Sequence, residues 1–275
     1  MPDSSSLPAI LLTLGAFFWL PAPAPGQTVA SGDLVEVEVA TVGVDLNTGA
    51  TLALLHSDWE AVLPIWIGEV EAGAIADALR EQRPIRPMTH DLLASVLGEL
   101  GGTLEEIVVH DLRENIYFGT LRIRTSAGLM EVDSRPSDAL ALAVRTGARV
   151  LAERSLIEGA PDAEFLSVQG ERSIVRLRGM TVSTILGRDR ERFSLPSDVQ
   201  GLVVLHADQA VGPRGVRRGD VVLEVQGQEI EAPSAFLDAV VGTSPSSSLE
   251  IRVLREGEER RVEVPPRRGR GRVGP

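Results

Sequence analysis

The sequence predicts an α+β fold built as two strand-rich modules in tandem. Three observations carry that expectation. Apolar and polar residues alternate in several short runs, apolar residues recur at helical spacing in three runs between Gly68 and Gly147, and a polar stretch marked by Pro161, Asp162 and Gly170 divides the chain. With 275 residues, 43% of them apolar, the chain can fill two packed cores.

In chain order, Val35, Val37 and Val39 face one way and Glu36 and Glu38 the other, which is the pattern of a half-buried strand. Further strands are expected at Thr51 to Leu55 and Val62 to Ile67. Ala72, Ile75, Ala76 and Leu79 fall on one helical face, and that helix must stop before Pro84. Thr89 is placed to cap a second helix, whose face is Leu92, Leu93, Val96, Leu97 and Leu100 and whose end is Gly101-Gly102. A hairpin is expected from Ile107 to Leu112 and Ile116 to Arg124, around Arg113-Glu-Asn115, followed by a strand at Leu129 to Val132. A third helix runs from Pro136 to Thr146, with proline in its first turn and Gly147 beyond its end. The expected organisation is therefore a first module at 31–160, a linker at 161–173 and a second module at 174–265. Residues 266–275 form a basic tail expected to be disordered.

Residues 1–30 read separately. The uncharged run Leu7 to Leu20, followed by prolines and small residues, is the pattern of a signal-peptide core. Fourteen helical residues reach only about 21 Å against a bilayer core of about 30 Å, which makes an uncleaved membrane tether the second choice. Asp3 and the lack of arginine before Leu7 run against export, and a cytoplasmic location follows if the true start lies downstream.

Composition removes several kinds of chemistry. All 27 basic residues are arginine and there is no cysteine, so lysine nucleophiles, thiol nucleophiles, disulfides and thiolate metal sites are excluded. The net charge of −12 is uneven: residues 31–160 hold 21 acidic side chains against 10 arginines, whereas 161–275 balance. Such acidity is awkward for binding phosphate backbones.

Three segments of the first module are rich in polar groups and fall at strand-to-helix junctions: Gly68-Glu-Val-Glu-Ala72, Arg86-Pro-Met-Thr-His-Asp-Leu-Leu93 and Asp133-Ser-Arg-Pro-Ser-Asp-Ala-Leu140. Junctions of this kind gather exposed side chains and free N–H groups at one sheet edge, so the three are expected to converge. Together with Leu63-Pro-Ile-Trp-Ile-Gly68 they resemble the signatures of the bifunctional nuclease (BFN) domain family over 100 to 125 residues in the expected order. The resemblance implies a nuclease acting on DNA and RNA with little sequence preference. Cleaving a phosphodiester needs an activated water and neutralisation of growing negative charge, and without lysine a carboxylate-held Mg²⁺ or Mn²⁺ is the available device. The candidate ligands are Glu71, Asp91, Asp133 and Asp138, with His90 as base or leaving-group acid and Arg135 as phosphate clamp. Each has a structural alternative: Asp91 and Asp138 sit where helix N-termini favour acids, His90 can cap, and Arg135 can pair with Asp133 or Asp138.

In the second module, Gly201-Leu-Val-Val-Leu205, Gly215-Val-Arg-Arg-Gly-Asp220 with the strand behind it, a helix from Ser234 to Val241 and a final strand pair look like the PDZ domains of bacterial envelope proteases of the HtrA/DegP type. Such a small barrel-like domain binds a peptide by adding it as a strand beside a groove helix. The resemblance implies Arg178-Gly179-Met180 as the carboxylate loop, Thr181 and Val182 as the paired strand, and Phe236 and Val240 as the groove wall. Gly212-Pro213 departs from the family pattern, and no serine-protease segment precedes the module. Two functions follow. One is an exported or tethered metal-assisted nuclease of DNA and RNA that the PDZ docks to a protein C-terminus or unfolded tail. The other is a non-enzymatic envelope adaptor in which the first module is a homo-oligomeric scaffold.

Overall fold

A computed structural model describes residues 32–57, 61–82, 84–169, 172–208, 211 and 215–266. The expected signal core, the Gly212-Pro213 departure and the basic tail from residue 267 lie outside the described residues. Among those described, no helix is long and apolar enough to cross a membrane.

The first module is a mixed sheet with helices on one face. Its strands are β1 (Leu34–Asp45), β2 (Thr51–Ser57), β3 (Ala61–Trp66), β4 (Thr103–Arg113), β5 (Ile116–Thr125), β6 (Gly128–Ser134) and β7 (Arg149–Glu153). β7 lies between β1, antiparallel to it, and β4, parallel to it, and the order continues β4-β5-β6. The helices are α1 (Glu69–Leu79), α2 (Thr89–Glu99) and α3 (Pro136–Thr146). α3 packs against the sheet and carries α1 and α2 beside it. That position explains its sequence. Leu140 and Leu142 fill the space against Ile107, Val109 and Leu121, while Ala139, Ala141 and Ala143 let neighbours approach closely. Gly147, at φ 72°, ends it in the left-handed conformation and donates to the Ala143 carbonyl.

After the short helix α4 (Arg154–Glu158), the expected linker at 161–173 is instead largely ordered. It holds β8 (Phe165–Gln169), antiparallel to β1 on one side and to β9 (Arg172–Leu177) on the other. Phe165 is completely buried, and the hydroxyls of Thr41 and Ser167 lie 2.5 Å apart. The alternation of Phe165 and Ser167 is too short to stand out between the turn residues Pro161, Asp162 and Gly170.

The second module continues the same sheet through β10 (Met180–Thr184), β11 (Leu202–Ala207), β12 (Val221–Val225), β14 (Leu249–Arg255) and β15 (Glu258–Val264), with the short β13 (Gln228–Glu229) beside β12. α5 (Gly187–Phe193) and α6 (Pro233–Val241) complete it. Its core joins Val182, Val204, Val222 and Ile251 to Phe236 and Val240 of α6. A further apolar cluster mixes the two modules: Leu52 and Leu54 of β2, Phe165 of β8, Ile174 of β9, and Val203 and Leu205 of β11.

Candidate functional site

All three polar junctions contribute to one cluster at the start of α3, the first through Glu71, the second through His90 and the third through Arg135 and Asp138. Arg135, at the start of α3, places its guanidinium between Asp138 one turn on (Nε to Oδ2 2.7 Å) and Glu71 of α1 (Nη2 to Oε1 3.0 Å). His90 of α2 reaches the other side of Asp138, Nε2 to Oδ1 at 3.0 Å. The Glu71 carboxylate folds back over Gly68. A Cβ at that position would lie 2.3 Å from its Oε2, so glycine there keeps the site's acid in place.

Burial pushes the Asp138 carboxyl up, but the hydrogen bonds from Arg135 and His90, with the charges behind them, outweigh it and hold the group below the ordinary carboxylate range. Asp138 is therefore ionised at neutral pH and can only accept, so Nε2 of a neutral His90 must carry the proton. The lone pair is then on Nδ1. His90 is 12% exposed and is clamped between α2 and α3, more enclosed than a helix-start residue suggests, while Arg135 is 68% exposed. The arrangement is a carboxylate-oriented imidazole beside a guanidinium open to solvent.

Asp91 does not join this cluster. Its Oδ1 accepts from Arg145 Nε at 2.6 Å and its Oδ2 from the Met88 N–H at 2.9 Å. It anchors α2 to α3 and closes the first turn of α2, with Met88 rather than Thr89 as the N-cap residue. Burial raises the Asp91 carboxyl, and the bonds from Arg145 and Met88 bring it below its usual range. Arg145 is the residue that sequence reasoning missed. The signal was present, since Asp138 and Arg145 are seven apart on one face of α3.

Asp133 does not join either. It lies opposite Thr120 on β6, and its neighbour Val132 lies opposite Leu121, which packs in the helix-covered core. Alternation thus turns Asp133 to the other face, where it is exposed and makes no hydrogen bond or ion pair among the described residues. The four proposed metal ligands therefore do not converge: Asp91 faces Arg145, Asp133 faces away, and Glu71 and Asp138 are bridged by Arg135. Among the described residues no three His, Asp or Glu side chains form a metal-holding group.

The residues expected to hold a peptide are also engaged. Arg178 and Gly179, at φ 53° and 75°, form a tight turn between β9 and β10. Arg178 donates to the carbonyls of Ser244, Pro245 and Ser247. Thr181 and Val182 sit on β10, which is paired with β9 along one edge and β11 along the other. Met180, Phe236 and Val240 are buried in the core. Among the described residues β10 therefore has no free edge, because a two-residue turn brings β9 directly onto it.

Residues 53–163 match the bifunctional nuclease domain family, and residues 181–265 match the PDZ domain family. Over 126 residues the chain is 34% identical to the uncharacterized proteins MT1877 and Rv1829 of two Mycobacterium tuberculosis strains, a stretch covering 45% of this chain and 75% of theirs. Another 78 residues are 37% identical to a probable periplasmic serine endoprotease DegP-like of Halomonas elongata, covering 28% of this chain and 15% of that one. Among solved structures, the HtrA-type protease AlgW with a decapeptide aligns at TM-score 0.30 and 22% identity, over 54% of this chain and 44% of the protease chain.

Proposed function

This chain belongs to the bifunctional nuclease domain family, with a PDZ domain behind the nuclease domain, and on that premise we propose that it hydrolyses phosphodiester bonds of DNA and RNA at the Glu71, His90, Arg135 and Asp138 cluster. The observation that carries the reading is the bond from His90 Nε2 to Asp138, which fixes the imidazole with Nδ1 able to take a proton. In this account Arg135 turns from its two carboxylates to a phosphate oxygen. His90 Nδ1 removes a proton from the attacking water, the new P–O bond forms as the P–O bond to the departing oxygen breaks, that oxygen is protonated by solvent, and His90 returns its proton to solvent.

Incubating the purified full chain with supercoiled plasmid and with RNA tests this. Nicking and RNA shortening that follow the protein through purification, and disappear in His90→Ala, are the expected result. A preparation inert on both substrates would remove the nuclease reading. Parallel reactions with Mg²⁺, Mn²⁺ and EDTA decide whether a divalent ion takes part by arriving with the substrate's phosphates.

The adaptor reading is favoured by one observation, the exposed apolar face of α2, where Leu92, Val96 and Leu100 are 57%, 43% and 79% exposed. On that reading the domain assembles with further copies of itself. Sedimentation of the full chain, with Val96→Glu as the dissociating variant, tests that assembly. Docking to a free protein tail, the role expected of the PDZ module, requires β9 to leave β10. Export is part of the proposal as well. A reporter active only outside the cytoplasm, fused behind residues 1–31, should be active, and a silent, stable fusion would contradict it.

A further inference from the structure

A PDZ domain takes its ligand as an extra strand alongside the groove helix, and in this protein a strand of the chain is already there. β9 runs antiparallel to β10, with Leu177 opposite Met180, Val175 opposite Val182 and Ile174 opposite Ser183. Across one face of the strand α6 packs against it. Val175 and Leu177 are buried in the same core as Phe236 and Val240, the residues that would otherwise line the groove for an incoming peptide. We propose that β9 is the resident ligand of the PDZ groove, so that the module binds its own chain and is closed to external peptides.

Three polar clasps hold the strand. Arg176 donates twice to Asp208, both at 3.0 Å, and once to Thr181 Oγ1 at 3.0 Å. His206 adds a bond to the same carboxylate at 2.9 Å. Arg172 reaches Asp189 of α5 at 2.6 Å and Ser183 of β10 at 3.2 Å. Arg178 ties the end of the strand to carbonyls of the loop that follows α6. Where a peptide would present a terminal carboxylate, the chain continues through Arg178-Gly179, and the Gly179 carbonyl accepts from the Asp208 N–H. The outer edge of β9 is covered by β8, itself bonded to β1. Groove occupancy is thereby what splices the two modules into one sheet.

A chain without cysteine allows a direct test. In the full-length double variant Val175→Cys, Val182→Cys the two thiols lie on directly opposed residues, so mild oxidation should close an intramolecular disulfide nearly quantitatively. A folded double variant that leaves both thiols free overturns the proposal. The second arm uses a fluorescein-labelled synthetic peptide of the β9 sequence, residues 171–179, followed by anisotropy. The wild-type chain should show no saturable binding in the micromolar range, whereas Arg176→Asp, which sets a carboxylate against Asp208, should bind at least about tenfold more tightly. Micromolar binding by the wild type, or a folded Arg176→Asp variant with no gain, contradicts a groove filled by β9. Should Arg176→Asp fail to fold, the disulfide and the wild-type titration decide alone.

Discussion

On the proposed hydrolytic reading Arg135 carries two tasks that compete. Its bonds to Glu71 and Asp138 hold α1 against α3, yet a phosphate can use the guanidinium only by drawing it away from them. The exposure of Arg135 and the enclosure of His90 assign the mobile part to the arginine and the fixed part to the imidazole. Asp91 is the structural member of the set. Asp91→Ala removes its bonds to Arg145 and the Met88 N–H and should cost about 1–3 kcal/mol, read as a lower urea midpoint with an unchanged slope. The carboxyls of Asp91 and Asp138 are both held below their usual range when folded. Their stabilisation is therefore complete above the ordinary carboxylate pKa of about 4 and is lost as pH falls through the lower folded values. Urea midpoints from pH 7 down to pH 3 should fall in the wild type and fall less in Asp91→Ala; parallel curves would show that this group does not contribute. The sequence made these residues visible as acids at helix starts and offered Arg135 as a partner for Asp138, but not Arg145 for Asp91. Whether Asp91 faced a metal or Arg145 depended on how α2 lies on α3. For Asp133 the answer was legible, because Met130 and Val132 alternate with Glu131 and Asp133 and only one pair can face the core.

At the scale of elements, periodicity was informative and pairing was not. The three helices begin and end within a few residues of where spacing, Pro136 and the terminal glycines put them. Gly147→Ala tests one of these signals. Nothing lies within 4 Å of a Cβ there, so the cost is backbone strain alone, about 1 kcal/mol, visible as a modest drop in Tm without loss of helix content. α2 departs from its pattern. Its apolar stripe reads as core, but Leu97 packs inward while Leu92, Val96 and Leu100 face outward, a division set by the position of the sheet. β8 was hidden by its own brevity, and β9, which begins inside the expected linker, was not read as the neighbour of β10.

The whole molecule is one sheet from β15 to β6, with an apolar cluster drawn from both modules at the join. Such continuity predicts a single cooperative unfolding transition rather than two. Phe165→Ala should cost about 3–5 kcal/mol and speed amide exchange in both β2 and β11; loss of protection on one side alone would mean that the modules unfold independently. The acidity of the first module disfavours binding of phosphate backbones, and a hydrolytic site there must offset it locally. The most direct test pairs two substitutions that remove the same charge on opposite faces of the sheet. Plasmid nicking by Asp138→Asn should fall at least about tenfold, equivalent to about 1.4 kcal/mol of barrier, in a variant that is still folded at the assay temperature, while Asp133→Asn nicks at the wild-type rate. Equal rates in both variants, or a loss in Asp133→Asn alone, would contradict a hydrolytic site built on His90, Arg135 and Asp138.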